Sequence, residues 1–199
     1  MADFAVCDLS YDVRDIGPAK GYIFYDKGFD SDNWRYLEVA PSDIYVIDDI
    51  PIVYAINEEC CNDTAWFEFS FGLYRTDLYN PQANMTVGTF QTIGSGELNT
   101  KMLVNAMGNK AIIFHMGAAS TNLYAAKVCF NLVFGGYNDW FLQSIEELLL
   151  IASYIEELST ERYWSSSEAG GTNAYSSKFL DNSTYSRTVT WKVRPIRAF

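Results

Sequence analysis

Cysteine, histidine and serine are the side chains that nucleophilic, redox or metal chemistry would use, and here their spacing supports none of these. The cysteines Cys7, Cys60, Cys61 and Cys129 are scattered. They form no paired half-sites able to wrap a zinc ion, and a chain this long buries enough core to fold without disulfides. They read as reduced thiols. Cys60-Cys61 has no lysine or histidine beside it to lower a thiol pKa. His115 is the only histidine and no motif flanks it, so a Ser-His or Cys-His engine is rejected. The run Ser165-Ser166-Ser167 has no base within sequence range and reads as hydroxyls that satisfy backbone groups. No catalytic residue, cofactor or metal site is expected.

What remains is binding, and the stretch from Tyr163 to Phe199 has the texture for it. Aromatic or charged framework (Tyr163-Trp164, Glu168, Phe179 and Trp191 to Phe199) brackets small polar filler, Ala169 to Ser177 and Leu180 to Thr190. The filler has no Lys, Glu, Gln, Met or Trp and is rich in Ser, Thr, Asn, Gly and Tyr. Antibody loops share this vocabulary: short polar groups adapt and tyrosine supplies rigid contact area. The residues expected to contact a ligand are Ala169, Gly171, Thr172, Asn173, Tyr175, Ser177, Asn182, Thr184, Tyr185, Ser186, Arg187 and Thr188. Tyr175, Tyr185 and Arg187 are expected to carry most of the energy, because binding hot spots favour Tyr and Arg. That expectation requires all three to reach solvent on one side of the molecule.

The block Tyr163-Trp164-Ser165-Ser166-Ser167-Glu168, followed by Val193-Arg194-Pro195-Ile196-Arg197-Ala198-Phe199, resembles the formylglycine-generating-enzyme-like C-type lectin domains. Within that group it resembles the variable proteins of diversity-generating retroelements. Three further blocks fit: Gly17 to Gly28, Trp34 to Pro41, and Gly135 to Leu142. The resemblance implies an α+β domain of the C-type lectin-like fold; residues 42–88, outside the matching blocks, read as an inserted β-rich segment. It also implies a receptor- or host-recognition protein whose C-terminal residues are exchanged at adenine-containing codons, which accounts for the five missing residue types. Formylglycine-generating oxidase activity is the alternative, but it needs a reactive cysteine pair late in the domain, and no cysteine follows Cys129. An undiversified structural virion or surface protein is a third reading. Calcium-dependent sugar binding would need Glu-Pro-Asn or Gln-Pro-Asp and Trp-Asn-Asp triplets. Asn138-Asp139-Trp140 has the last set of letters in another order and reads as a framework turn.

The elements that must position these residues follow from pattern. Gly21 to Tyr25 and Trp34 to Ala40 read as a hairpin turning at Asp26-Lys27-Gly28. Ile44 to Ile47, Ile52 to Ile56 and Ala65 to Phe71 read as strands, with Phe67, Phe69 and Phe71 on one face. A helix is expected over Glu97 to Met107 with Leu98, Met102, Ala106 and also Met107 inward, stopped by Gly108. A second is expected over Thr121 to Val133, facing inward through Leu123, Ala126, Phe130 and Val133. Ala111 to Phe114 is too apolar for a loop. Ser144 and Glu147 form a capping box for a third helix, whose Ile145, Leu148, Leu149, Ala152, Ile155 and Leu158 make one apolar face.

At 199 residues the chain fits one domain, 1–199, with 163–199 as its variable-type end. Hydrophobic residues make up 49%, which excludes disorder as the default. A formal charge of -11 repels a phosphate backbone, so nucleic acid is not an expected partner. No apolar run approaches the ~20 residues of a membrane span, and Met1-Ala2-Asp3-Phe4 does not open a signal peptide. The expected partner is a protein or cell-surface ligand, met by a protein carried on a virion or displayed at a cell surface.

Overall fold

A computed structural model describes residues 10–54, 68–75, 86–108, 113–114 and 123–199. The expected strands or parts of strands at 55–67, the start of the second helix at 121–122, His115, Cys7, Cys60 and Cys61 lie outside the described residues. In chain order the elements begin with β1 (Tyr22–Ser31), β2 (Trp34–Val39), β3 (Ile44–Ile47), β4 (Ile50–Val53), β5 (Phe69–Ser70) and β6 (Tyr74–Arg75). Next come α1 (Gly96–Met107), β7 (Ile113–Phe114), α2 (Ala125–Phe130), β8 (Phe141–Leu142), α3 (Ile145–Tyr154) and α4 (Glu156–Thr160). The chain closes with β9 (Tyr163–Glu168), β10 (Asn173–Ser177), β11 (Ser183–Ser186), β12 (Thr190–Trp191) and β13 (Pro195–Ala198). This is a mixed α+β architecture whose strands pair antiparallel except for the short β6–β7 pair.

The terminal strand closes the molecule on its own N-terminal hairpin. In the four-stranded sheet β1-β2-β13-β8, Ile196 pairs with Val39, Arg197 with Glu38 and Ala198 with Leu37. The hairpin turns later than expected, at Asp32-Asn33, which carry φ of 55° and 64°. Short polar side chains tolerate that left-handed backbone. Gly28, at φ 85°, instead sits within β1 where the register shifts; it marks a bulge, not the turn.

The four outer blocks of the family resemblance meet at one buried ion pair. Glu38, fully buried on β2, accepts hydrogen bonds from Ala19 N (3.0 Å) and Gly21 N (2.7 Å) and pairs with Arg197 of β13 at 3.2 Å. Arg197 reaches Asp139 on its other edge, at 2.9 Å, and lies 3.8 Å over the ring of Tyr137. Two glycines permit this closeness. A Cβ at Gly21 would stand 2.1 Å from the Val39 carbonyl oxygen, and one at Gly135 would stand 2.4 Å from that of Ala19. A second pair repeats the device: Asp43 takes Arg194 Nε at 2.7 Å and the Tyr163 hydroxyl at 3.1 Å.

The described residues of the 42–88 segment contribute side chains to the core. Ile44, Val46, Val53, Phe69, Phe71 and Leu73 share a cluster with Trp140, Leu142 and Trp164. The Trp164 indole donates to the Phe69 carbonyl at 2.9 Å, and β5 pairs with β12.

The helices correct two sequence expectations. Over α1 the buried positions are Gly96, Asn99, Thr100, Leu103 and Met107, while Leu98 is exposed and Met102 and Ala106 are half-buried. Polar side chains turned the helix away from its most apolar face. Asn99 bonds Phe90 through both its amide oxygen and nitrogen and also donates to the Ser166 hydroxyl, and Thr100 Oγ1 bonds Leu142 N and O. Paired in this way, buried polar groups lose little on leaving water. The second helix is short, and Phe130 and Val133 are exposed beyond the expected face.

On α3 the capping box forms as expected, and Ile145, Leu148, Ile151 and Ala152 face the core. Glu147 does more than cap. It is fully buried and also accepts from Gly94 N at 2.8 Å, tying the turn before α1 to α3. Burial pushes its carboxyl up to about 7 from an ordinary 4.5, against the opposing pull of the Ser144, Gly94 and Gly96 hydrogen bonds. Between those pH values the folded protein holds a proton that the unfolded chain has released. Stability from this group is therefore fully present below about pH 4.5 and declines as pH rises through 7, by at most about 3 kcal/mol. Asp26, held below the usual range by its Arg35 hydrogen bond, acts in a separate, more acidic window. Urea unfolding at pH 5, 6, 7 and 8 is expected to show the decline, and Glu147→Gln is expected to flatten it. An unchanged slope in the variant would refute the assignment.

Candidate functional site

The polar filler falls on a three-stranded antiparallel sheet, in the order β11-β10-β9, and on the loops at its ends. β9 anchors it. Ser165, Ser166 and Ser167 are fully buried, and their hydroxyls donate to the carbonyls of Tyr175 (2.8 Å), Gln143 (3.1 Å) and Phe90 (2.7 Å). The serine run thus binds β9 to its surroundings on three sides. Glu168, where β9 ends, accepts from three successive backbone N–H groups, Val87, Gly88 and Thr89, at 2.8–3.2 Å.

Arg187 is the pin of the site. Its side chain is 0% exposed. Nε donates to the Asn173 carbonyl (3.1 Å), NH1 to Leu73 (3.0 Å), and NH2 to Gly170 (2.5 Å) and to the Glu168 carboxylate (3.0 Å). The guanidinium also lies 5.2 Å from the Phe71 ring centre. Burial lowers its pKa while Glu168 raises it. A planar fork of donors suits this role, since Nε, NH1 and NH2 each reach an acceptor at once. The loop 169–172 is held from beneath, with Arg187 N donating to the Thr172 carbonyl at 3.0 Å. Arg187 is therefore not at the molecular surface, contrary to the sequence expectation. Ser177 is also fully buried.

The two tyrosines are separated by the sheet itself. Tyr175 pairs with Thr184, and Asn173 with Ser186, so these four side chains share one face. Ala174 pairs with Tyr185 and Ser176 with Ser183, which puts Tyr185 on the other face. Tyr175 packs beside the cluster that contains Tyr163, and Tyr185 beside the cluster that contains Trp164. Tyr185 meets Trp191 edge-on at 5.7 Å, with the Arg162 guanidinium 4.4 Å from its ring centre. A single patch built from Tyr175, Tyr185 and Arg187 does not exist.

What the structure does bring together is Asn173, Tyr175, Thr184 and Ser186, extended by two hydroxyls. Thr172 Oγ1 bonds Asn173 Oδ1 at 3.4 Å, and Thr188 Oγ1 lies 2.9 Å from Ser186 Oγ. Thr184 is exposed and the others are half-buried. Ala169 and Gly171 are half-buried on the loop entering β10, and Asn182 is exposed just before β11. Gln91, exposed, donates to the Tyr175 hydroxyl at 3.5 Å. No sequence signal pointed to it, because its place depends on a fold-back of 84 residues.

Other chemistry has little to work with in the described residues. Cys129 is buried, and burial pushes its thiol well above the usual range, which makes it a poor nucleophile. Among the described residues no group of three or more His, Cys, Asp or Glu side chains is placed to hold a metal ion, and no helix is long and apolar enough to cross a membrane. No protein-family model matches the chain, and no curated protein shows significant similarity to it.

Proposed function

We propose that this is a ligand-recognition protein of the C-type lectin-like fold, and that it binds through the face of β10 and β11 bearing Asn173, Tyr175, Thr184 and Ser186. The observation that carries the proposal is the register. It gathers short polar side chains and one tyrosine on a single face, while the backbone beneath them is fixed by Arg187, Glu168 and the buried serines. A pre-ordered backbone lowers the entropy cost of association, and side chains pointing off it can be exchanged without altering the fold. That separation is what a variable protein of a diversity-generating retroelement requires, and we assign this chain to that role. The ligand class is a protein or cell-surface molecule of a host.

Single alanine substitutions at Asn173, Thr184 and Ser186 are expected to change unfolding free energy by no more than about 0.5 kcal/mol each. Libraries randomised at these positions and Tyr175, displayed and selected on host-cell surface proteins, are expected to yield folded clones with distinct specificities. Resequencing the coding segment across a population should show variation at these codons while those for Trp164, Trp191 and Arg194 stay constant. Folded libraries that never yield a binder, with invariant natural codons, would refute the proposal.

A further inference from the structure

A cavity lies away from the β10–β11 face, between β1–β2 and the C-terminal end of α3. It is open to solvent on one side, has a volume of about 300 Å³ and is lined by Arg14, Tyr22, Ile23, Phe24, Val39, Tyr154 and Ile155. Ile23, Phe24 and Val39 are almost wholly buried and form its floor, while Tyr22 and Ile155 are half-buried at its sides. Among the described residues on its wall, Arg14 is the only polar side chain apart from the phenol groups of Tyr22 and Tyr154. That is the composition of a small-molecule pocket, mostly apolar with one orienting charge.

Arg14 is held in place by its backbone and not by an acid. Its φ is 84°, a left-handed conformation rare for a long side chain. Two bonds to the neighbouring strand enforce it: Arg14 N donates to the Ile23 carbonyl at 2.7 Å and Ile23 N to that of Asp15 at 2.9 Å. The guanidinium rests 5.5 Å from the ring centre of Tyr154, at the mouth of the cavity. Asp12, Asp15 and Glu156 are near in sequence to the lining residues, yet none of them pairs with Arg14. Among the described residues no carboxylate lies within ion-pair distance of it, and its side-chain N–H groups meet no acceptor. Held beside an apolar slot, an exposed guanidinium with no carboxylate partner among the described residues is complementary to a carboxylate whose tail fills the slot.

We infer that this cavity binds a small amphipathic monocarboxylate, with the acid on Arg14 and the hydrocarbon tail on Ile23, Phe24, Val39 and Ile155. Calorimetric titration of the full chain with octanoate tests this. Saturable one-to-one binding is expected, with octan-1-ol at least about tenfold weaker and octylammonium not bound, since each lacks the charge that Arg14 reads. Arg14→Gln, a change at an exposed side chain, is expected to weaken octanoate about tenfold. Ile155→Phe, which adds bulk to the cavity wall, is expected to abolish binding while the unfolding transition is retained. Failure of octanoate to saturate, equal affinity for octan-1-ol, or unchanged affinity in Arg14→Gln would each overturn the inference.

Discussion

Arg187→Ala is expected to destabilise the protein by about 3–5 kcal/mol, the cost of leaving a buried carboxylate without its cation. The loss has more than one source. Glu168 keeps its three backbone donors but loses the opposite charge at 3.0 Å, and the carbonyls of Asn173, Leu73 and Gly170 lose theirs. Urea unfolding gives the number. The measurement separates two roles for this arginine. A binding hot spot, when truncated, would lose ligand affinity with stability unchanged; a pin loses stability with or without ligand. Removing the charge on both sides, Glu168→Gln with Arg187→Met, should recover part of the loss, since two apolar or neutral partners no longer strand a charge. An Arg187→Ala protein as stable as the parent would remove the frame on which the recognition face depends.

Glu38→Ala should be about as damaging, again about 3–5 kcal/mol, because the carboxylate serves three groups on two separate segments. It accepts from Ala19 and Gly21 in the turn before β1 and pairs with Arg197 in the terminal strand. Glu38→Gln retains an acceptor of the same shape and is expected to cost less than half as much. Thermal and urea unfolding of the pair of variants checks the ordering. If the glutamine variant is the less stable of the two, the carboxylate is not acting as an acceptor for these groups. Arg197 retains Asp139 in either variant, which limits the damage to the Glu38 side of the junction.

Much of this fold could be read from residues. The capping box at Ser144 and Glu147, the β1–β2 hairpin and the arginine-rich terminal strand were legible because each signal is local or repeats at a fixed period. Phase and depth were not. Asn99 and Thr100 displaced Leu98 from the buried face of α1 because their partners, Phe90, Ser166 and Leu142, arrive from other parts of the chain. The Asp32-Asn33 turn was missed because Gly28 is the stronger local turn signal, and only pairing with β2 shows it to be a bulge.

The sequence by itself determined that the C-terminal stretch is a stiff frame around small polar filler, because residue type alone separates Trp, Glu and Arg anchors from Ser, Thr and Asn. It could not determine which filler residues face out together. Alternation in a strand puts neighbours on opposite faces, but which face meets solvent is set by what packs on each. The cluster around Trp164 takes Ala174 and Tyr185, and the cluster around Tyr163 receives the edge of Tyr175. Arg187 went inside for the same kind of reason. Its acceptors come from residues 73, 168, 170 and 173, and only the folded chain brings them to one point.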